Sequence, residues 1–342
     1  VDSDAVPARL NEDARVRLDR LFALHEVQGA QQQMPKSTLR KVDAVKLVAD
    51  GIISPISVDE SNVRPTIGWC IPFTVVESKP EVKPWGYRRR LILWPRNQNK
   101  AVYETGFRST VPLEHVSSYL DATSTQIGAT RDLKVGFWQV ELPMETRPNF
   151  RFLDEKGSLY EANRLPMGHC VSVDIMQIVT MAIAGDKTVC LPPFASASPY
   201  VDVWVDGIRV AGSEDEVTKA IAECDVAAQQ VGATFKDHTD PQYEYDFVGV
   251  HFDHRNHNVS LAQHTADKLP CAIVNTITLF ELEQLVGRLL FAAGVLRLPL
   301  AKYYYVLKHT KRLFNKVNRG LLDPASVVEL PPSVSAVLSE WL

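Results

Sequence analysis

Two aspartates in this sequence have surroundings that suit divalent-metal chemistry. Asp132 lies in a mixed apolar stretch, and Asp206 lies between two runs rich in β-branched residues, Tyr200–Val205 and Ile208–Ala211. A two-residue hairpin is the usual structure of Asp206 followed by Gly207 between such runs. Carboxylate oxygens are ligands that Mg²⁺ prefers, and two bound ions can activate a hydroxyl and hold a leaving phosphate. These residue types are compatible with a divalent-metal site; taken alone, Asp206-Gly207 is equally an ordinary turn, and Asp132 an ordinary helix N-cap or strand-end residue.

The elements that must position these aspartates are strands with helices between them. Alternating and β-branched residues predict strands, and apolar residues at helical spacing predict helices. From Thr278 onward the pattern is helical. This order is typical of an α+β domain followed by an α-helical part. The predicted helices are Lys41–Asp50, Val171–Ala184 and Glu214–Val231, and the predicted strands are Gly68–Val76, Leu91–Trp94, Phe150–Leu153, Leu159–Ala162, Phe247–Phe252 and Val259–Leu261.

Composition and charge are those of an ordinary globular protein. The 342 residues are 45% hydrophobic and 23% charged, so the chain can bury a sizeable core. A net charge of -4 argues against a protein that binds nucleic acid by charge alone. The five cysteines include no CxxC pair, which favours a reduced, intracellular compartment over a zinc or disulfide framework. No apolar run is long enough to span a membrane, there is no signal peptide, and Val1 in place of Met suggests a fragment or a processed chain.

A basic segment lies near the C-terminal end. Residues Gln284–Leu322 contain eight lysines and arginines and no acidic residue. They can form an ordinary solvated helix face or contact a phosphate backbone, and the absence of acids favours the second interpretation. The consecutive Tyr303, Tyr304 and Tyr305 are interpreted as core packing. The candidate backbone contacts are Lys302, Lys308, Lys311, Arg312 and Lys316.

Five short segments follow one another between Val42 and Leu313 in an order that resembles the reverse transcriptases of retroelements. The segment at Asp132 is similar to the first catalytic block of that family. The hairpin around Asp206 is similar to its third block, whose tip normally carries two adjacent aspartates. The other matching segments are Leu165–Gly168 with Ser172 and Gln177 (the second block), Phe247–Gly249 (the entry to the primer grip) and Leu279–Leu300 (the helical thumb).

The resemblance implies a right-hand polymerase with an antiparallel palm sheet. The implied divisions are a helical N-terminal extension over residues 1–40, fingers over 41–110, a palm over 111–270 and a thumb with the start of a connection segment over 271–342. A return to the fingers is expected at about residues 150–165. The sequence context suggests a retroelement of the long-terminal-repeat or tyrosine-recombinase type, and hence partners from a polyprotein or ribonucleoprotein.

The resemblance also implies roles for individual residues. Asp132 and Asp206 would be the catalytic residues that hold two Mg²⁺ ions. Phe137 would exclude a ribose 2′-OH and so favour dNTPs over ribonucleotides. The template would be RNA and the primer DNA. The other residues placed at the nucleotide are Arg90, Lys83, Met167, Gly168 and Lys236.

One departure from the family pattern bears on activity. Gly207 stands where the hairpin tip normally carries a second aspartate. Loss of a supporting carboxylate at a two-metal site could cost several kcal/mol of transition-state stabilisation, roughly a thousandfold in rate. The alternative is therefore a catalytically silent, domesticated scaffold that binds RNA in a larger assembly. The presence of Asp132, Asp206, Phe137 and Arg90 favours the polymerase, and Phe137 disfavours an RNA-templated RNA polymerase.

Overall fold

The computed structural model describes Val1, Gly29 and residues 5–27, 39–57, 69–78, 87–111, 121, 123–191 and 200–342. The chain divides into two compact units. The first contains Val1–Val111, Thr130–Val210 and Thr218–Thr239, and the second contains Pro112–Ala129, Ala211–Val217 and Asp240–Leu342. No helix among the described residues is both long and apolar enough to cross a bilayer.

Helices and strands alternate up to Thr278, and from there on helices dominate, as predicted, with one short strand at Val327–Glu329. The α-helices are α1 (Glu12–Ala23), α2 (Lys41–Ala49), α3 (Arg96–Glu104), α4 (Ser172–Ala184), α5 (Glu214–Gln230), α6 (Gln263–Ala266), α7 (Leu279–Val295), α8 (Tyr304–Asn318) and α9 (Pro332–Trp341). The strands are β1 (Ile53–Pro55), β2 (Ile71–Ser78), β3 (Tyr87–Trp94), β4 (Ile127–Leu133), β5 (Arg151–Leu153), β6 (Leu159–Ala162), β7 (Tyr200–Trp204), β8 (Gly207–Gly212), β9 (Phe235–His238), β10 (Glu244–Phe247), β11 (Val250–Asp253), β12 (Asn258–Leu261), β13 (Thr276–Thr278) and β14 (Val327–Glu329).

The first unit is built around helix α4 and the sheet β7-β8-β4-β9. Only Val173 and Met181 of α4 are not fully buried, as expected for a helix that is apolar on nearly all sides. Helix α4 packs against β7 and against α1. Strands β2 and β3 form a separate antiparallel hairpin, and β1, β6 and β5 form a three-stranded sheet.

The second unit has its own core, formed by α7, α8 and α9. Helix α7 begins with a capping box in which Thr278 and Glu281 each bind the other's backbone amide, which explains why the helical pattern starts there. The rings of Tyr303 and Trp341 stack with centroids 4.0 Å apart. Tyr303 is therefore a core residue, whereas Tyr304 and Tyr305 are exposed, so the prediction that all three tyrosines pack in the core was wrong for two of them.

A strand predicted over Phe247–Phe252 is interrupted in the structure. Strand β10 ends at Phe247 and β11 begins at Val250. The two residues between them have positive φ angles, 50° at Val248 and 76° at Gly249. The chain therefore reverses direction within the apolar run, and β10 and β11 pair as an antiparallel hairpin. Glycine is suited to this conformation, but the valine concealed the turn from a pattern-based prediction.

Candidate active site

Asp132 and Asp206 lie on neighbouring parts of the four-stranded sheet. Asp132 is near the end of β4, and Asp206 is in the turn between β7 and β8, the strand that neighbours β4. The backbone amide of Leu133 donates a hydrogen bond of 2.9 Å to the carbonyl oxygen of Asp206. The fold thus brings together the two carboxylates that the sequence analysis singled out.

The two carboxylates are held in an environment that disfavours their charged forms. Burial, followed by the repulsion of Asp206 and then of Asp237, raises the pKa of Asp132 to about 6. Burial also raises the pKa of Asp206, and the nearby Arg90 and Arg88 partly oppose that shift. Two half-buried acids that repel each other are stabilised by a cation placed between them.

Gln177 of α4 fixes the hairpin that carries Asp206. Its side-chain amide donates to the carbonyl of Val203 at 2.9 Å, and its side-chain oxygen accepts from the amide of Val205 at 2.8 Å. Gln177 is buried, so both hydrogen bonds are shielded from water. The turn is therefore anchored on both sides of Trp204, next to the aspartate.

Gly136 contacts the same aspartate from the segment that follows Asp132. A Cβ atom added at Gly136 would lie 2.7 Å from the Cβ of Asp206 and 3.3 Å from its Oδ2. The backbone at this position has no positive φ, so the glycine is required by close approach alone. The next residue, Phe137, is half-buried in the short 3₁₀ turn Gly136–Trp138.

The hairpin turn is shifted by one residue from the predicted one. Val205 and Asp206 form the loop, and Gly207 is the first residue of β8. Val205 has a φ of 57°, which is strained for a β-branched residue. Gly207 has no positive φ, so the backbone does not demand glycine there.

A cross-strand ion pair lies further along the same hairpin. The guanidinium of Arg209 is fully buried and donates to the carboxylate of Asp202, whose side chain is 17% exposed. Because Arg209 supplies a positive charge, the carboxylate of Asp202 needs no bound cation to balance its charge. The pair therefore has a structural role beneath the turn.

Strand β9 brings a third carboxylate next to Asp132 that the sequence analysis missed. Asp237 is the direct partner of Asp132 in the β4–β9 register, so both side chains project from the same face. The register shifts between Asp132 and Leu133, which leaves Lys236 at the irregularity. Lys236 is exposed and forms an ion pair with Asp237. The predicted phosphate-binding Lys236 is thus close enough to lower the pKa of Asp132.

The three consecutive arginines of β3 face different ways, as alternation along a strand requires. Arg89 forms a bidentate ion pair with Asp43 of α2, with a shortest distance of 2.6 Å. Arg88 and Arg90 both favour the charged form of Asp206. Both arginines are therefore near enough to Asp206 to act on its charge. Lys83, the second predicted finger residue, lies outside the described residues.

The predicted nucleotide loop is held against β3. The amide of Leu93 donates to the carbonyl of Met167 at 2.9 Å. Gly168 has a φ of 117°, and a Cβ there would lie 2.5 Å from the carbonyl oxygen of Leu93, so only glycine fits. Asn99 donates to the carbonyl of Gly168 at 2.7 Å. Met167 is half-buried and Gly168 is exposed.

The donor set of Asp132 and Asp206 fits Mg²⁺. Both groups are hard oxygen ligands, and Mg²⁺ commonly uses one or two carboxylates while keeping waters and substrate phosphates. In the part of the chain that the structure describes, no group of three or more His, Cys, Asp and Glu side chains is arranged to hold one ion. Asp132 and Asp206 are therefore the two carboxylates that would hold the ions, with Asp237 beside Asp132 on the neighbouring strand.

The basic residues predicted to contact phosphates lie in the second unit. Lys308, Lys311, Arg312 and Lys316 are exposed on α8 and form no ion pair with the described residues. Lys308 lies 5.2 Å from the centroid of the Tyr304 ring. Lys302, just before the helix, pairs with Glu340 at 2.7 Å and is therefore less available than the prediction assumed.

Comparison with solved structures identifies the fold. A foamy viral protease-reverse transcriptase in complex with double-stranded DNA matches 98% of this chain with a TM-score of 0.60 and 15% sequence identity. The chain has a reverse-transcriptase-like fold. The same kind of enzyme in complex with an RNA/DNA hybrid matches 98% of the chain with a TM-score of 0.60, and a further complex with double-stranded DNA matches 99% with a TM-score of 0.54.

The likeness is one of fold and not of sequence. No protein-family model matches the chain, and no curated protein matches it in sequence. The reverse-transcriptase-like chain spans 58%, 44% and 69% of the three viral proteins, so the first two matches contain much that this chain does not cover.

Proposed function

We propose that this chain is the polymerase core of an RNA-directed DNA polymerase that extends a DNA primer with dNTPs on an RNA template. The observation that carries the proposal is the placement of Asp132 and Asp206 side by side in a reverse-transcriptase-like fold. Burial raises the pKa of both aspartates, and the charge of Asp206 adds to the shift at Asp132, so a bound cation would favour their charged forms. The foamy viral neighbours solved with DNA and with an RNA/DNA hybrid support nucleic acid as the partner.

The proposed roles follow from the positions of the side chains. Asp132 and Asp206 hold Mg²⁺ in their charged forms, so metal binding requires the loss of any proton bound to Asp132 at its raised pKa of about 6. When bound, two Mg²⁺ ions lower the pKa of the attacking hydroxyl and stabilise charge on the transferred phosphate. Arg90 binds phosphate oxygens of the dNTP, and a planar guanidinium can bind two at once. Phe137 packs against the sugar, and Lys236 faces the leaving pyrophosphate.

The right-hand layout is part of the proposal. The sheet β7-β8-β4-β9 is the palm, the β2–β3 hairpin with α2 and α3 belongs to the fingers, and α7 to α9 form the thumb. The exposed basic residues of α8 contact the nucleic-acid backbone, so we expect binding to weaken as salt rises. A retroelement polyprotein or ribonucleoprotein is the proposed context.

Primer extension tests the proposal directly. The chain is incubated with an RNA template, a DNA primer, dNTPs and Mg²⁺, and products are resolved by length. Extension by the wild type that is lost in Asp206→Asn supports the proposal. Asp186→Asn is a matched control. Asp186 is a carboxylate in the loop after α4 that accepts hydrogen bonds from the amide and hydroxyl of Thr188 and has no proposed role in catalysis. No extension by a folded wild-type protein would overturn the polymerase assignment.

A second candidate is a catalytically silent scaffold that binds RNA. Gly207, in place of the second aspartate of the hairpin tip, favours it. This candidate predicts salt-sensitive RNA binding that is unaffected by Asp206→Asn and no extension under any metal. The two candidates therefore differ in the same assay.

A further inference from the structure

The N-terminal segment over residues 5–27 belongs to the first unit and packs on the helix that supports the catalytic hairpin. Helix α1 lies against α4. The amide of Asn11 donates to the carbonyl of Val189 at 2.8 Å, and the amide of Leu191 donates to the carbonyl of Arg9 at 3.1 Å. The sequence analysis treated this segment as a helical extension without a role. Its contacts instead attach it to the body of the first unit.

The segment ends in a fully buried histidine. His25 lies in the short 3₁₀ turn after α1 and is 0% exposed. Its carbonyl oxygen accepts hydrogen bonds from the side chains of Gln98 at 2.5 Å and Asn149 at 3.2 Å. Both of these side chains are themselves buried. His25 therefore joins α3 to the turn before β5 through its backbone.

The ring of His25 contacts the residue that follows the predicted nucleotide loop. It meets the ring of His169 edge to face with centroids 4.6 Å apart, and it meets Phe150 at 5.1 Å. Neither ring nitrogen of His25 has a hydrogen-bond partner among the described residues, so the ring acts through packing. His169 is 2% exposed and directly follows Gly168.

The loop before His169 has little freedom to absorb a displacement. Met167 and Gly168 are bonded to β3 and α3, and the amide of Cys170 donates to the side chain of Asn99 at 3.0 Å. Ser172 donates its hydroxyl to the carbonyl of Pro166 at 2.8 Å. A shift of His169 into space left by His25 would therefore pull on Gly168 and Met167.

We propose that His25 is a positioning residue that holds the Leu165–His169 loop in place for the incoming nucleotide, so that the N-terminal segment is part of the substrate site. The expected effect of His25 on the kinetics rests on the proposed polymerase function. The structural part of it, that His25 holds the loop, stands on the ring contacts and hydrogen bonds alone. A lone buried histidine is more often a simple core residue, and the test must separate the two roles.

The test compares three full-length variants in primer extension with varied dNTP concentration. His25→Ala removes the ring and is expected to raise the KM for dNTP about tenfold with a smaller effect on kcat. His25→Phe keeps a ring of similar size and is expected to retain the wild-type KM within about twofold, because the contact depends on packing. Leu18→Ala is the control, since Leu18 is buried in the same segment about two turns earlier.

The variants are compared at temperatures where each is equally folded. An unchanged KM in His25→Ala, or an equal increase in Leu18→Ala, would show that His25 has only a structural role. Hydrogen exchange gives a second readout that needs no activity. The amide of Leu93, bonded to Met167, and the amides of the Leu165–His169 loop should exchange faster in His25→Ala than in Leu18→Ala. Wild-type protein without extension would refute the polymerase, whereas equal exchange in both variants would refute the positioning role.

Discussion

Replacing Gly136 by alanine should displace Asp206, the proposed metal ligand, by most of an ångström. The added Cβ would lie 2.7 Å from the Cβ of Asp206. Carbon atoms in contact are normally about 3.5 Å apart or more, so the two segments must separate by about 0.8 Å. A misplacement of about 1 Å can cost a hundredfold in rate, which corresponds to about 2.7 kcal/mol. We therefore expect kcat/KM to fall by about a hundredfold.

Steady-state primer extension with Mg²⁺ measures this loss, and a thermal melt checks that the variant is folded. Overpacking of this kind destabilises by about 1–3 kcal/mol, so the variant should still fold at assay temperature if the protein has ordinary stability. Gly287→Ala is the matched control, because nothing lies within 4 Å of its added Cβ. Gly287 is inside α7, where alanine should stabilise the helix by about 1 kcal/mol without changing the rate. A folded Gly136→Ala variant with wild-type kcat/KM would refute the claim that the close contact with Gly136 positions Asp206 for catalysis.

Three further predictions concern the ion pair, the buried histidines and the hairpin tip. Asp202→Asn leaves the fully buried Arg209 without its counter-charge and should lower the free energy of unfolding by about 3–5 kcal/mol, measured by urea denaturation; a loss below about 1 kcal/mol would contradict this. Burial lowers the pKa of His25 from 6.5 to about 3, and burial together with the neighbouring His25 lowers the pKa of His169. Below about pH 6.5 the unfolded state therefore binds more protons than the folded state, so the free energy of unfolding falls as the pH drops. The loss from His25 should be about 1.4 kcal/mol per pH unit down to about pH 3, and an equally steep decline in His25→Phe would exclude it as the source. Gly207→Asp should raise the extension rate by up to about a thousandfold, and an unchanged rate would show that the missing carboxylate is not limiting.

Much of the fold could be predicted from the sequence because its periodicity is strong. The helices predicted at Lys41–Asp50, Val171–Ala184 and Glu214–Val231 are observed within one residue at either end. The turns were harder to place. Val205 and Val248 adopt positive φ angles that β-branched residues rarely take. The sequence pattern therefore places the first turn one residue too late, on Gly207, and does not predict the second turn at all.

The site was predictable only in part, for a similar reason. The pairing of Asp132 with Asp206 follows from the order of the sequence blocks. Asp237 was missed because β9 is a short, mostly exposed strand without an apolar alternation, and only the β4–β9 register places it beside Asp132. His25 was missed because its partner, His169, is 144 residues away in the sequence and no local pattern links them. Such contacts are decided by tertiary packing.

The hydrogen bonds of Gln177 also have a consequence for the edge of the sheet. Among the described strands, β7 is at the edge of the sheet β7-β8-β4-β9, and an edge strand can pair with a strand of another molecule. Gln177 occupies the carbonyl of Val203 in this strand and the amide of Val205 just after it. The side chain that anchors the turn at Asp206 therefore also makes one carbonyl of this edge strand unavailable for intermolecular β-pairing.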